Sequence, residues 1–275
     1  MPEIPNLTSQ ITRPIDGDVT GPTPDSERCI WRAQSSEVDV RVKKLFKSRS
    51  DWRNSLQNTA VARELVQWHK IRHSNVVSVF GFLHRDLTPF LVTPWIAGGN
   101  LNVFLTQHDE FLSPVDCISL IRDVAAGLHC LHSLSIVHGS LIGANILVDN
   151  GRRACLTDFG LASIREPTQG SELLRRSSDA PGAIRWTATE IIVRDVERPT
   201  IHSDIYSFGS VALQIVTGRI PWSELEDDVD VVVKLSQGLV PWKPEDCLVK
   251  ESLWAFIQRC WEFVPEDRPT SSDAL

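Results

Sequence analysis

Apolar and polar residues alternate over Val38-Asp39-Val40-Arg41-Val42-Lys43, the period-two pattern of a strand with one buried face. From Leu56 to Arg72 the spacing turns helical, with Leu65, Trp68 and Ile71 on one stripe. A strand pair then leads to Leu91-Val92-Thr93-Pro94-Trp95, where Pro94 lacks an N–H, and on to Gly98-Gly99. Ser113-Pro114-Val115-Asp116 supplies an N-cap, a proline at the first helical position and a capping-box acid. The helix they open carries Ile121, Val124, Ala125, Leu128 and Leu131 at helical spacing, which marks it as a core helix. From Ile136 to Gly160 the chain predicts a loop opening on His138, a short hairpin turning at Asn150-Gly151, and a second loop opening on Asp158-Phe159-Gly160. That hairpin carries Asn145 and Asp158, two polar groups suited to a magnesium phosphate, to neighbouring loop ends.

The stretch from His138 to Gly160 resembles the protein-kinase catalytic loop, H-R-D-L-x-x-x-x-N, followed without a gap by the D-F-G motif. Other motifs fall in the same order. Lys43 matches the Lys of V-A-I-K, and Glu64 sits where the family's αC helix places the Glu that pairs with it. Thr93 takes the position guarding the back of the nucleotide pocket, and Leu147, beside Asn145, is grouped with the residues of that pocket. Gly182 to Glu190 resembles the segment ending in A-P-E, with Thr189 in place of Pro, and the resemblance pairs Glu190 in the interior with Arg268. Ser203 to Gly209 matches the start of the central C-lobe helix, whose Asp, here Asp204, anchors the catalytic loop. Cys260-Trp261 together with Asp267-Arg268-Pro269 resembles the tyrosine-kinase-like branch.

The resemblance implies an α+β, bilobal protein-kinase-like fold: an antiparallel β N-lobe with one αC helix and a mainly α-helical C-lobe. It places a flexible lead-in over 1–14 and the kinase-like domain over 15–275. Within that domain the N-lobe covers about 15–93, the hinge about 94–99 and the C-lobe about 100–275.

The departures from the pattern concern chemistry. The catalytic Asp falls on Ser140, and a Ser is not a general base near neutral pH without a stronger base beside it. The loop Lys falls on Ile142, removing a cation where charge develops. The Arg that pairs with a phosphorylated activation loop falls on Gly139, so Ser177 and Ser178 in the Ser/Arg-rich stretch up to Ala183 lack that receptor. The glycine-rich loop falls on Thr23, Asp25 and Arg28, none of them Gly, while Gly17 and Gly21 lie in a turn-like stretch with Pro22 and Pro24. Arg41 stands where the family has a small Ala against adenine; there it crowds the base unless its stem snorkels outward. A register shifted to Lys44 removes that crowding but breaks the alternation.

Composition narrows the partners. The 275 residues, 42% hydrophobic, suffice for one two-lobed unit or two small domains, and 28 basic against 35 acidic residues (net charge −7) argue against nucleic acid or a polybasic membrane anchor. Six cysteines are scattered without a C-x-x-C pair, and His129 and His132 lack a third ligand nearby, so reduced thiols and no metal site are expected. The first residues carry no secretory or transit signal, and no apolar run reaches membrane-spanning length. The expected protein is a cytoplasmic signalling module with protein partners, its ATP and magnesium binding weak or absent. Three readings stand: a pseudokinase scaffold or allosteric partner, a weakly active serine/threonine protein kinase, and a nucleotide-binding switch without transfer.

Overall fold

The computed structural model of the chain describes residues 4–14, 26–33, 36–45, 59–85, 88–108, 112–161, 182–193, 198–244 and 249–275, with backbone alone for 59–64. The first half forms strands β1 (Ile11–Thr12), β2 (Ser26–Ala33) and β3 (Ser36–Lys44), helix α1 (Thr59–Lys70), then β4 (Gly81–Arg85) and β5 (Thr88–Pro94). The strands make one antiparallel sheet in the order β1-β2-β3-β5-β4. Its register sets Arg28 opposite Arg41, Arg41 opposite Thr93 and Lys43 opposite Leu91. Directly opposed residues share a face. Arg28, Arg41, Lys43, Leu91 and Thr93 therefore line one side of the sheet, and Cys29, Val40, Val42, Leu83 and Val92 pack together on the other.

Two expectations are corrected here. Residues 5–12 do not form a loose lead-in: Leu7 is buried with Cys29, Val40 and Val42, its N–H donates to Phe82 O (2.8 Å), and Phe82 N–H donates to Pro5 O (3.0 Å). The approach is close enough that a Cβ on Gly81 would lie 2.4 Å from Pro5 O. Nor does β3 have one buried and one wet face, since Val38 is exposed near the strand's start while Arg41 is 1% exposed. The middle of β3 is covered on both sides, by residues 5–12 and their cluster outside and by the second lobe inside.

The second half contains α2 (Leu101–His108), α3 (Pro114–Ser133), hairpin strands β6 (Ile146–Val148) and β7 (Ala154–Leu156), α4 (Thr189–Val193), α5 (Ile201–Thr217), α6 (Asp228–Ser236) and α7 (Glu251–Cys260). The Ser113/Asp116 capping box opens α3 as its sequence predicts, and a second box, Thr200/Ser203, opens α5. Helix α5 stops at Gly218, whose φ of 66° suits the residue without a Cβ. Leu120, Val124 and Leu128 of α3 and Ile205, Phe208 and Val211 of α5 form the centre of the apolar core. In the β6–β7 turn, Asp149 Oδ1 accepts from Gly151 N–H (2.8 Å) and Arg153 N–H (2.9 Å), and the left-handed residue is Arg152 (φ 61°). Arg152 N–H also donates to Asp149 O (2.9 Å), so Asn150-Gly151 sits at the centre of the turn as the sequence predicts, with the left-handed Arg152 just after it. Glu190 and Arg268 meet as a buried bidentate pair, both bonds 2.7 Å. The result is the α+β arrangement expected, a sheet lobe and a helical lobe with β6–β7 at their junction.

Candidate nucleotide cleft and catalytic loop

The loop after α3 is held from below by one carboxylate. Asp204, near the start of α5, accepts from His138 N–H (2.7 Å) and Gly139 N–H (2.8 Å), and His132 Nε2 lies 2.9 Å from it. Gly139 has φ 73°, so the loop's entry turn uses the left-handed region. Burial pushes the His138 imidazole below its ordinary value, against the opposing pull of Asp204 and Asp158. His138 O in turn accepts from Gly160 N–H (3.0 Å), which ties the two loops together.

Above this anchor the Asn145 amide donates to Ser140 O (2.8 Å) and Ser140 Oγ (3.2 Å). No carboxylate or imidazole hydrogen bond to the Ser140 hydroxyl is seen among the described residues. Ile142 is buried in the main core with Leu141 and Ile146 and contributes no charge to the cleft. Leu147 is buried beside Val77 and Cys155, with Ile96 packed against them. The segment entering α2 is close-fitting too, since a Cβ on Gly98 would lie 2.2 Å from Val148 O.

Asp158 follows β7 with φ 62° and a side chain 4% exposed. Arg41 reaches it from the sheet lobe: its two terminal nitrogens donate to Asp158 Oδ1 (3.3 Å) and Oδ2 (3.1 Å), and one of them also donates to Thr157 Oγ1 (3.0 Å). Lys43 Nζ donates to Asp158 Oδ2 at 2.6 Å. Arg41 thus points into the cleft; it does not snorkel outward, because a buried carboxylate lies across the cleft to pair with it. Burial by itself would push the Asp158 carboxyl up, but Arg41 and Lys43 outweigh it and hold the group well below the ordinary carboxylate range. The partner expected for Lys43 was Glu64, whose side chain lies outside the described residues.

Arg28 pairs with Asp39, with bonds of 3.1 and 2.5 Å, and its guanidinium carbon lies 5.5 Å from the Trp95 ring centroid. Arg28 and Arg41, directly opposed on neighbouring strands, therefore each have their own carboxylate. Further in, a small cavity is lined by Lys43, Trp68, Val79, Leu91, Thr93 and Phe159; its water-accessible volume is about 10 Å³, room for roughly one water. Thr93 Oγ1 is buried without a hydrogen-bond partner among the described residues. Phe159 meets Trp68 of α1 edge-on, with centroids 5.6 Å apart, and a Cβ on Gly160 would lie 2.7 Å from the same indole. Thr23, Asp25, Ser177 and Ser178 lie outside the described residues.

This succession of sheet, helix, anchored loop, hairpin and Asp-Phe-Gly turn is matched by the family model described as protein tyrosine and serine/threonine kinase over residues 23–274. The chain belongs to that kinase family. Among its curated relatives, the kinase domain is 27% identical over 247 residues to the tyrosine-protein kinase Src64B of Drosophila melanogaster, covering 87% of this chain and 41% of that protein. It is 31% identical over 234 residues to ephrin type-A receptor 3 of Danio rerio (85% of this chain, 23% of that protein) and 26% identical over 238 residues to the serine/threonine-protein kinase A-Raf of Sus scrofa (85% and 38%). The chain thus spans well under half the length of these relatives. No described helix of the kinase domain is long and apolar enough to cross a membrane.

Residue by residue, Lys43 meets Asp158 and Asn145 meets Ser140, on loops joined by the Thr157–Asn145 and Gly160–His138 backbone bonds; Thr93 lines the small cavity, and Leu147 is buried with Val77 and Cys155. Sequence reasoning missed Arg41 as a ligand of Asp158. Its signal was present, as a cation at a position that calls for a small residue, but a strand pattern alone does not say which side of the sheet a second lobe will cover.

Proposed function

We propose that this kinase-family domain is a pseudokinase, a signalling scaffold or allosteric partner acting through protein contacts, with its phosphoryl-transfer chemistry lost. The observation that carries the reading is Ser140: the position of the general base holds a hydroxyl that accepts from the Asn145 amide and has no base hydrogen-bonded to it among the described residues. Orienting and deprotonating the nucleophile then has no agent, and a base is worth ~10²–10⁴ in rate. Ile142, packed in the core, supplies no charge to offset that which develops on the transferred group.

Magnesium nucleotide does not fit the residues present. Both Asp158 oxygens are taken by Arg41 and Lys43, so a divalent ion would have to displace two cations from a buried carboxylate, and Arg41, at the position where the family has a small residue against adenine, sends a long side chain across the cleft to reach it. ATP binding is accordingly weak or absent.

The test is a transfer assay on the purified domain with peptide and protein substrates, alongside a thermal melt with and without magnesium ATP. No phosphorylation is expected under conditions where kinases turn over at ~1–100 per second, and no saturable shift of the melt. Transfer by the wild type that Asp158→Ala abolishes would replace this reading with that of a weakly active kinase. Stabilisation by several degrees at sub-millimolar nucleotide without transfer would replace it with a nucleotide-binding switch.

A further inference from the structure

We infer that Arg41 is the resident cation of this cleft, bound by Asp158 where kinases bind a metal ion, and that the Arg41–Asp158–Lys43 cluster locks the two lobes together without a ligand. The inference goes beyond the loss of transfer, since it says what holds the cleft and not merely what the cleft fails to do.

Four observations support it. The contacts cross the lobes: Arg41 and Lys43 sit on β3, while Thr157 and Asp158 extend from β7, more than a hundred residues away along the chain. The Arg41–Asp158 contact is a two-pronged guanidinium–carboxylate pair, which fixes orientation as well as distance. The pair is buried, with the Arg41 and Asp158 side chains 1% and 4% exposed, and Lys43 beside it 14% exposed. Finally, Asp158 is in the left-handed region and is followed by Phe159 against Trp68 and by the Gly160–His138 bond, so holding its carboxylate holds the start of that segment.

A buried pair of this kind is costly to form but more costly to break from one side, because the survivor is left charged in a buried site. This asymmetry gives the test. Arg41→Met keeps the length and apolar stem while removing the charge; Asp158→Asn keeps a residue that tolerates positive φ. Denaturant melts of wild type, both single variants and the double variant complete a cycle. Each single change is expected to lower the folding equilibrium constant tenfold or more, about 1.4 kcal/mol per tenfold. The double change is expected to lower it by much less than the product of the two. Amide exchange at Gly160 is expected to speed up in Arg41→Met under native conditions, before global unfolding.

If the two losses simply multiply, or if Gly160 exchange is unchanged in a folded Arg41→Met protein, there is no lock. Should Arg41→Met fail to fold, the double variant decides: recovery of the fold supports the pair, and failure of both overturns it. None of these measurements involves phosphoryl transfer, so they stand apart from the activity test of the pseudokinase reading.

Discussion

Removing Arg268 provides a severe test of the interior described above. Its guanidinium, fully buried, donates to both Glu190 oxygens at 2.7 Å, to His202 O at 3.0 Å and to Glu262 O at 2.9 Å, with its carbon 5.3 Å from the Tyr206 ring centroid. Arg268→Ala leaves the Glu190 carboxylate buried without its counterion and two carbonyls without that donor. Breaking a buried pair from one side costs ~3–5 kcal/mol. The carbonyls and the ring contact add to this, though not in simple sum. With an unfolding entropy near 2 cal/mol/K per residue, a chain of this length moves by roughly 2 °C per kcal/mol, so the melting temperature should fall by about 6–10 °C. Calorimetry or a denaturant melt reads the loss. The decisive comparison is Ser140→Ala, whose residue lies in the cleft with one weak side-chain bond at 3.2 Å and whose variant should melt within about 1 °C of wild type. A loss below about 1 kcal/mol for Arg268→Ala, or a larger one for Ser140→Ala, would refute the assignment of Arg268 and Glu190 as the brace of the helical lobe.

Three further outcomes are expected. Asp204→Ala strands the buried His138 N–H and Gly139 N–H and should cost ~2–6 kcal/mol, from 1–3 per unsatisfied group, measured by denaturant melts. His138 is buried with its pKa lowered, so the unfolded chain takes up a proton that the folded one refuses; stability is unaffected by this group above about pH 6.5 and falls below it, by up to about 1.4 kcal/mol per pH unit. A folded His138→Leu variant should lack that part of the acid slope in melts from pH 7 to 5. Restoring the family residues by Ser140→Asp with Ile142→Lys should not yield transfer, and should destabilise the domain in a thermal melt, because the Lys enters the apolar core around Leu141 and Ile146.

The fold could be read from the chain because its bracing residues form spaced motifs whose partners are also motifs. Asp204 under His138 and Gly139, and Glu190 with Arg268, are where the resemblance places them. What escaped was decided by coverage. Residues 5–12 carry few apolar side chains, and only the matching outer face of the sheet makes Leu7 a core residue. The alternation over Val38 to Lys43 correctly puts Val40 and Val42 inside, but it cannot show that the opposite lobe will bury Arg41 as well. Ile142 reads as a missing cation in the sequence; only its neighbours reveal that it is also a packing residue.

Holding a cation of its own, as proposed, would have a metabolic consequence for the domain. A protein that binds ATP is stabilised by RT ln(1 + [ATP]/Kd), about 2.7 kcal/mol at a hundredfold excess over Kd, and its shape therefore follows the energy state of its surroundings. With Asp158 satisfied by Arg41 and Lys43, the proposed lock draws on no diffusible reservoir. If the domain binds no nucleotide, as proposed, starvation or plenty would leave the same surface on offer, and control over it would arrive as another protein or a covalent mark.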